Sequence, residues 1–169
     1  AFRYVLVDEY QDTNYAQYLI IRKLSQEHKN ICVVGDDAQS IYSFWGARIE
    51  YILTFQKAHQ GARIYKLERN YWSTQSIVNA ANSIIARNKG QIPKKIYSEN
   101  LEGDQVKIIE SRTDSEEGFK IAGMIQENAM NERLMYKDFA ILYRTNAQSR
   151  IFEESLRKMN IPYRVFGSL

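Results

Sequence analysis

The sequence predicts an α/β fold in which parallel strands are covered by helices. Two observations carry that expectation. Short, near-continuous apolar runs such as "YVLVDE" and "NICVVGDD" alternate with segments of helical period. Strands that are apolar on both faces belong to parallel sheets with helices on each side.

The elements follow in order. "YVLVDE" is the first expected strand. "NYAQYLIIRKLSQEH" places Ala16, Leu19, Ile20 and Leu24 on one helical face, with Asp12 or Thr13 as its cap. "NICVVGDD" is the second strand, with Cys32 inside it and expected to be buried. A helical segment around Ile49 to Phe55 precedes a third strand, "ARIYKL". "STQSIVNAANSIIARN" then aligns Ile77, Val78, Ala81, Ile84 and Ile85 on one stripe, with Ser73 as N-cap. "NKGQIPKKIYSENLEGDQ" has the polar, Gly- and Pro-bearing composition of a long connection, with Lys94 and Lys95 on a solvated face.

The remainder repeats the scheme. "DQVKIIES" is an expected strand, and "TDSEEGFKIAGMIQENAM" a helix in which Thr113 and Glu116 are spaced as a capping box. "DFAILYRT" is another strand. "AQSRIFEESLRKMN" is a helix ending near Asn160, before Pro162, and "YRVFGS" is a last strand. No internal repeat or low-complexity tract interrupts the pattern.

The totals exclude some classes. With 169 residues the chain can bury a core as one domain or two small ones. No apolar stretch approaches the ~20 residues of a membrane span, and the first residues do not resemble a signal peptide. One cysteine cannot form an internal disulfide, and a cytoplasmic setting fits. A net charge of +3 is too small to establish a nucleic-acid partner. The 12 tyrosines are expected mainly to pack or line the surface, and His28 and His59 to lie on the surface rather than bind metal.

Ligands of open parallel sheets collect beyond the carboxyl ends of the strands. Asp8, Glu9, Asp36 and Asp37 are therefore expected on one rim. A carboxylate there can hold Mg²⁺ through hard oxygen ligation, and a second can deprotonate an attacking water. Such pairs also serve simply as caps and solvated turns. Gln11 follows the first pair and Gln39 the second, and a rim glutamine can bond a phosphate oxygen or the attacking water without adding charge. Tyr42, Phe44 and Trp45 lie in a loop bounded by Gly35 and Gly46. They can stack on single-stranded bases or pack beneath the loop.

Four pieces, "LVDEYQDTN", "VVGDDAQSIY", "LERNYWST" and "ILYRTNAQSR…PYRVFG", together resemble the UvrD/Rep/PcrA group of superfamily 1 DNA helicases. The likeness runs in order across nearly the whole chain. It implies parts of two RecA-like motor domains of the P-loop NTPase type, with residues 1–66 from the first and 67–169 from the second. It further implies that Asp8 holds Mg²⁺, that Glu9 is the general base of ATP hydrolysis, and that Gln39 senses the γ-phosphate. Gln11 and Tyr71 are assigned to ATP, with Tyr71 packing on adenine. Tyr42, Phe44, Trp45, Arg144, Thr145 and Asn146 are assigned to single-stranded DNA. The implied whole is an ATP-dependent 3′-to-5′ translocase with no membrane partner.

The chain departs from that pattern at three points. Trp72 stands where the motif NYRS has an arginine finger, and losing such a finger costs on the order of 10³-fold in rate. Trp45 stands where "RGA" has arginine. No Gly-Lys pair followed by Ser or Thr occurs, so the phosphate-cradling loop is missing. The chain is accordingly expected to be a fragment, inactive without the remainder of the helicase. A non-catalytic module that binds single-stranded nucleic acid is the alternative. A helicase-nuclease subunit is a third, although no residue here speaks for nuclease chemistry.

Overall fold

The computed structural model describes residues 2–166. By compactness the chain divides into two units, residues 1–106 and 107–169.

The first unit is built on a β-α-β crossover. Strand β1 (Val5–Val7) and strand β2 (Ile31–Val33) pair in parallel, with Val5 opposite Ile31, Leu6 opposite Cys32 and Val7 opposite Val33. Helix α1 (Tyr15–Ser25) forms the crossover. Its N-cap is Asn14, not Asp12 or Thr13. The Asn14 side chain accepts from the Gln17 N–H at 3.0 Å, and Gln17 Oε1 accepts from the Asn14 N–H at 2.9 Å. Asp12 and Thr13 are already used in the tight turn Tyr10–Asp12, where their N–H groups bond Glu9 and Tyr10 carbonyls. The inward face of α1 is Tyr18, Ile21 and Ser25, whereas Ala16, Leu19, Ile20 and Leu24 are exposed.

Cys32 is also exposed, contrary to expectation. It shares a register position with exposed Leu6, so both residues stand on the side of the two-stranded sheet that no described element covers. Apolar character on both strand faces marks a strand able to be buried twice. It does not supply the second layer.

Short helices α2 (Glu50–Leu53) and α3 (Phe55–Ala58) follow, then α4 (Gln75–Ile85). Tyr10, the bulkiest fully buried side chain described, meets Phe55 edge-on with centroids 5.7 Å apart. Burial, with Tyr18 and Tyr51 adding to it, pushes the Tyr10 phenol up to about 12. Tyr18 and Tyr51 stack at 4.3 Å. His28 and His59 are half-buried rather than superficial, and His59 stacks on Phe55. Helix α4 is capped at Thr74, not Ser73, and buries Val78, while Ile77, Ala81 and Ile84 stay exposed.

The second unit is a helical pair, α5 (Asp114–Asn131) and α6 (Asn146–Lys158). Thr113 caps α5 by accepting from the Glu116 N–H, as the spacing predicts, but the Glu116 carboxylate reaches back to the Arg112 N–H. The two helices meet closely at Gly118. A Cβ there would lie 2.6 Å from Ser155 Oγ and 3.0 Å from the Ile151 carbonyl, so only glycine allows the approach. Ala122, Leu156 and Ile161 form the core beside it. Helix α6 ends where Asn160 takes a left-handed φ of 54°.

Four expected strands do not form. "ARIYKL", "DQVKIIES" and "DFAILYRT" carry no ladder among the described residues, nor does the described part of "YRVFGS", whose Gly167 and Ser168 lie outside them. β-propensity makes a segment extended, but a strand also needs a backbone neighbour. Ile108 and Leu142 remain 91% and 94% exposed, without the packing that would reward one. Beyond the β1–β2 ladder there are isolated bridges among the described residues, antiparallel between Asn14 and Ala47 and parallel between Arg69 and Tyr97.

Candidate nucleotide and nucleic-acid site

Parallel pairing brings the carboxyl ends of β1 and β2 to one edge. The N–H of Val34 bonds the Val7 carbonyl at 2.8 Å, and the Tyr10 N–H returns to the Val34 carbonyl at 2.9 Å. This fixes "DEYQD" beside "GDDAQ". Between those bonds Glu9 takes a left-handed conformation, φ 47° and ψ 42°. A glutamate held there stores about 1–2 kcal/mol of strain and needs surroundings that enforce it.

Gln11 supplies the enforcement. It is 1% exposed, and both ends of its amide are engaged within the protein. Nε2 donates to Glu9 Oε2 at 2.8 Å, and Oε1 accepts from the Asp36 N–H at 3.0 Å. A direct contact with nucleotide was the expectation for this residue. As arranged, its amide offers nothing outward and instead ties one acidic loop to the other. Gly35 makes the approach possible, because a Cβ there would fall 2.5 Å from Gln11 Oε1.

Asp8 and Glu9 are exposed and line, with Asp12 and Ile20, a groove of about 370 Å³. Asp8 Oδ1 accepts from the Glu9 N–H at 2.9 Å. Its second oxygen has no hydrogen bond among the described residues, which leaves it available for a ligand. No group of three potential metal ligands occurs among those residues. Mg²⁺ does not require one, since it is commonly held by one or two carboxylates with waters and phosphate oxygens.

The second acidic pair is not an open metal site. Asp37 is 4% exposed and accepts from the Ile92 N–H and from Lys94 Nζ, each at 2.8 Å. Lys94 also contacts Asp36, so the expectation of a solvated Lys94 is overturned: two carboxylates draw the ammonium in. Lys95 stays exposed. Burial alone would raise the Asp36 pKa, but hydrogen bonds from Lys94, Gln39 and the Ala38 N–H outweigh it and hold the carboxyl below the usual range. Gln39 is exposed and its Nε2 donates to Asp36 Oδ2 at 2.9 Å.

Tyr42, Phe44 and Trp45 surround the tight turn Ser43–Trp45, closed by Gly46 at φ 84°. Their rings pack on one another, Tyr42 stacking on Trp45 at 5.6 Å and Phe44 meeting Trp45 edge-on at 5.5 Å. They do not pack beneath the loop, and Trp45 is 76% exposed. The loop is pinned to the start of α1, where the Arg48 N–H bonds the Thr13 carbonyl at 3.1 Å.

Tyr71 is exposed, and the Arg69 guanidinium lies 4.7 Å from its ring centroid. Arg69 also pairs with Glu99 at 2.5 Å, so it is committed locally. Asn70 organises the turn, its Oδ1 accepting from the N–H groups of Trp72 and Ser73 at 2.9 and 2.8 Å. Asn100 Nδ2 bonds the Tyr71 and Ser73 carbonyls.

Comparison with known proteins decides the family. Residues 1–60 match the UvrD/REP helicase N-terminal domain, and residues 65–169 match the UvrD-like helicase C-terminal domain. The chain belongs to the UvrD/REP helicase family. Curated relatives include the ATP-dependent DNA helicase PcrA of Leuconostoc citreum, 49% identical over 166 residues, covering 98% of this chain and 22% of that protein. The PcrA proteins of Staphylococcus aureus and Staphylococcus epidermidis are each 45% identical over 166 residues, covering 98% of the chain and 23% of the relative. The chain thus spans less than a quarter of the length of these relatives.

This UvrD/REP family chain carries its remaining candidates in the second unit. Thr145 is the N-cap of α6, and Gln148 Oε1 accepts from the N–H groups of Arg144 and Thr145, each at 3.0 Å. Arg144, Thr145 and Asn146 are exposed at the positive end of a helix, an arrangement that suits phosphate oxygens. Sequence reasoning missed Asn70 and Lys94. The spacing of Asn70 ahead of "YWST" signals a side-chain turn, whereas nothing local signals that Lys94 reaches back 57 residues to Asp37. Among the described residues, no helix is long and apolar enough to cross a membrane.

Proposed function

We propose that this chain is the central segment of an ATP-dependent DNA helicase that translocates 3′ to 5′ on single-stranded DNA in the cytoplasm. Residues 1–66 then belong to the first RecA-like motor domain and 67–169 to the second. The observation that carries the reading is the fixed pairing of Glu9 with Gln11, on the edge where exposed Asp8 and Gln39 also stand.

Glu9 takes the proton of the attacking water, and Gln39 reads the γ-phosphate through the end of its amide not held by Asp36. The free oxygen of Asp8 is chemically suited to Mg²⁺, which when bound supplies charge neutralisation to the phosphate oxygens. Tyr71, backed by Arg69, offers one ring face to adenine. The Tyr42–Phe44–Trp45 cluster stacks on bases, and Arg144, Thr145 and Asn146 hold the strand backbone. Trp72 brings no charge to the transferring phosphoryl group. Without a phosphate-cradling loop, the 169-residue chain alone hydrolyses no ATP.

The exposed aromatic cluster and Trp72 also support a second reading, a module that binds single strands without catalysis. Strand displacement by the full-length polypeptide distinguishes them. Unwinding of a 3′-tailed duplex with ATP, and none of a 5′-tailed one, is expected. Salt-sensitive binding indifferent to ATP, with no unwinding, favours the binding module.

A further inference from the structure

The Asp36 carboxylate divides its two oxygens between two jobs. Oδ2 accepts from Gln39 Nε2 at 2.9 Å, and Oδ1 accepts from the Ala38 N–H at 3.0 Å and from Lys94 Nζ. The same ammonium bonds Asp37 Oδ1 at 2.8 Å, and the Lys94 side chain is only 20% exposed. Two adjacent carboxylates repel, and without a cation between them the partly exposed one would swing toward water. Asp37 is sealed and cannot move outward, so that one is Asp36. Asp36 is the only side-chain hydrogen-bond partner of Gln39 among the described residues, and the contact decides which way the exposed amide presents its carbonyl.

We infer that Lys94 is a positioning residue for Gln39, acting through Asp36. It comes from the part of the chain that matches the second family domain, whereas Asp36 and Gln39 come from the first. The ion pair therefore ties the loop that reads phosphate to the segment that follows α4. Lys94 itself touches no substrate in this account. The inference rests on the helicase reading of Gln39 given above.

The test uses the full-length polypeptide with Lys94→Met, Lys94→Arg, Asp36→Asn and Gln39→Ala. Lys94→Met is expected to lower kcat of DNA-stimulated ATP hydrolysis about 10- to 100-fold, the scale of a small misplacement of a catalytic group. KM for ATP should change far less than kcat, because Gln39 is one of several nucleotide contacts and the others are untouched. Lys94→Arg should recover most of kcat, since it keeps a cation between the carboxylates. Asp36→Asn, which leaves the Lys94–Asp37 pair in place, should reproduce the loss if Lys94→Met disturbs folding. The deciding arm is the double variant: in a Gln39→Ala background, Lys94→Met should cost nothing further. A readout independent of turnover is amide hydrogen exchange, which Lys94→Met should accelerate at Ala38, Gln39 and Ile92. A full additional loss in the Gln39→Ala background overturns the inference, as does an unchanged kcat in Lys94→Met. If the unmutated polypeptide shows no DNA-stimulated hydrolysis, the helicase reading itself falls, and this assignment with it.

Discussion

Gln11 bridges the two acidic loops, its Nε2 donating to Glu9 Oε2 at 2.8 Å while its Oε1 accepts from the Asp36 N–H at 3.0 Å. One buried amide thus sets the orientation of one carboxylate and the position of the loop that carries Gln39. Replacing it by leucine keeps the volume but orphans a half-buried N–H and releases Glu9. Gln11→Leu should lose about 1–2 kcal/mol of stability, read from the urea midpoint. An unchanged midpoint would show that the bridge carries no stability.

Trp45 is the most exposed ring of the Tyr42–Phe44–Trp45 cluster. Trp45→Ala should weaken binding of a single-stranded oligonucleotide by about 1–3 kcal/mol, the worth of one stacked base. Fluorescence titration checks this, with tryptophan quenching in the parent protein and weaker binding in the variant followed through a labelled strand. Equal affinities would remove Trp45 from the DNA path.

Trp72 is 92% exposed and neutral, and it stands where the resemblance to the UvrD/Rep/PcrA group implies an arginine finger. In the full-length polypeptide, Trp72→Arg should raise kcat for ATP, with a ceiling of about 10³-fold. No gain would mean that another cation already serves the γ-phosphate.

The Lys94 clamp should be visible in stability against pH. Hydrogen bonds to Lys94, Gln39 and Ala38 outweigh burial and lower the Asp36 pKa. Its contribution is therefore complete above the unfolded value of about 3.9 and is lost as pH falls through the lower folded one. For Lys94, hydrogen bonds to Asp36 and Asp37 outweigh burial and raise the pKa. That contribution is complete below about 10.4 and is lost as pH rises through the higher folded value. Thermal unfolding across pH should show both flanks flattened in Lys94→Met.

The legible part of this molecule was local. Apolar runs located β1 and β2, and helical period located α1, α4, α5 and α6, because each pattern records a demand of its own segment. The same three-residue capping spacing is legible at Thr113 and misplaced at Asn14, where three consecutive polar residues, Asp12, Thr13 and Asn14, compete for the cap. What failed depends on distant partners. "DQVKIIES" and "DFAILYRT" have the composition of strands but no ladder partner among the described residues, and Cys32 lies in a strand with one face that no described element covers. At the site, the carboxylates and aromatics were legible by residue type. By residue type Gln11 reads as an outward-facing group, because its burial comes from the Gly35 loop 24 residues on and nothing local signals it. Lys94 looked solvated because its partners lie 57 and 58 residues away.

Glu9 is proposed as the base of a DNA-stimulated ATPase. Phosphate release from the full-length polypeptide, with and without single-stranded DNA, compared between the parent and Glu9→Gln, tests it most directly. The parent should show DNA-stimulated turnover, and Glu9→Gln a loss on the order of 10²-fold or more with ATP binding retained. Stimulated turnover that survives Glu9→Gln would contradict it.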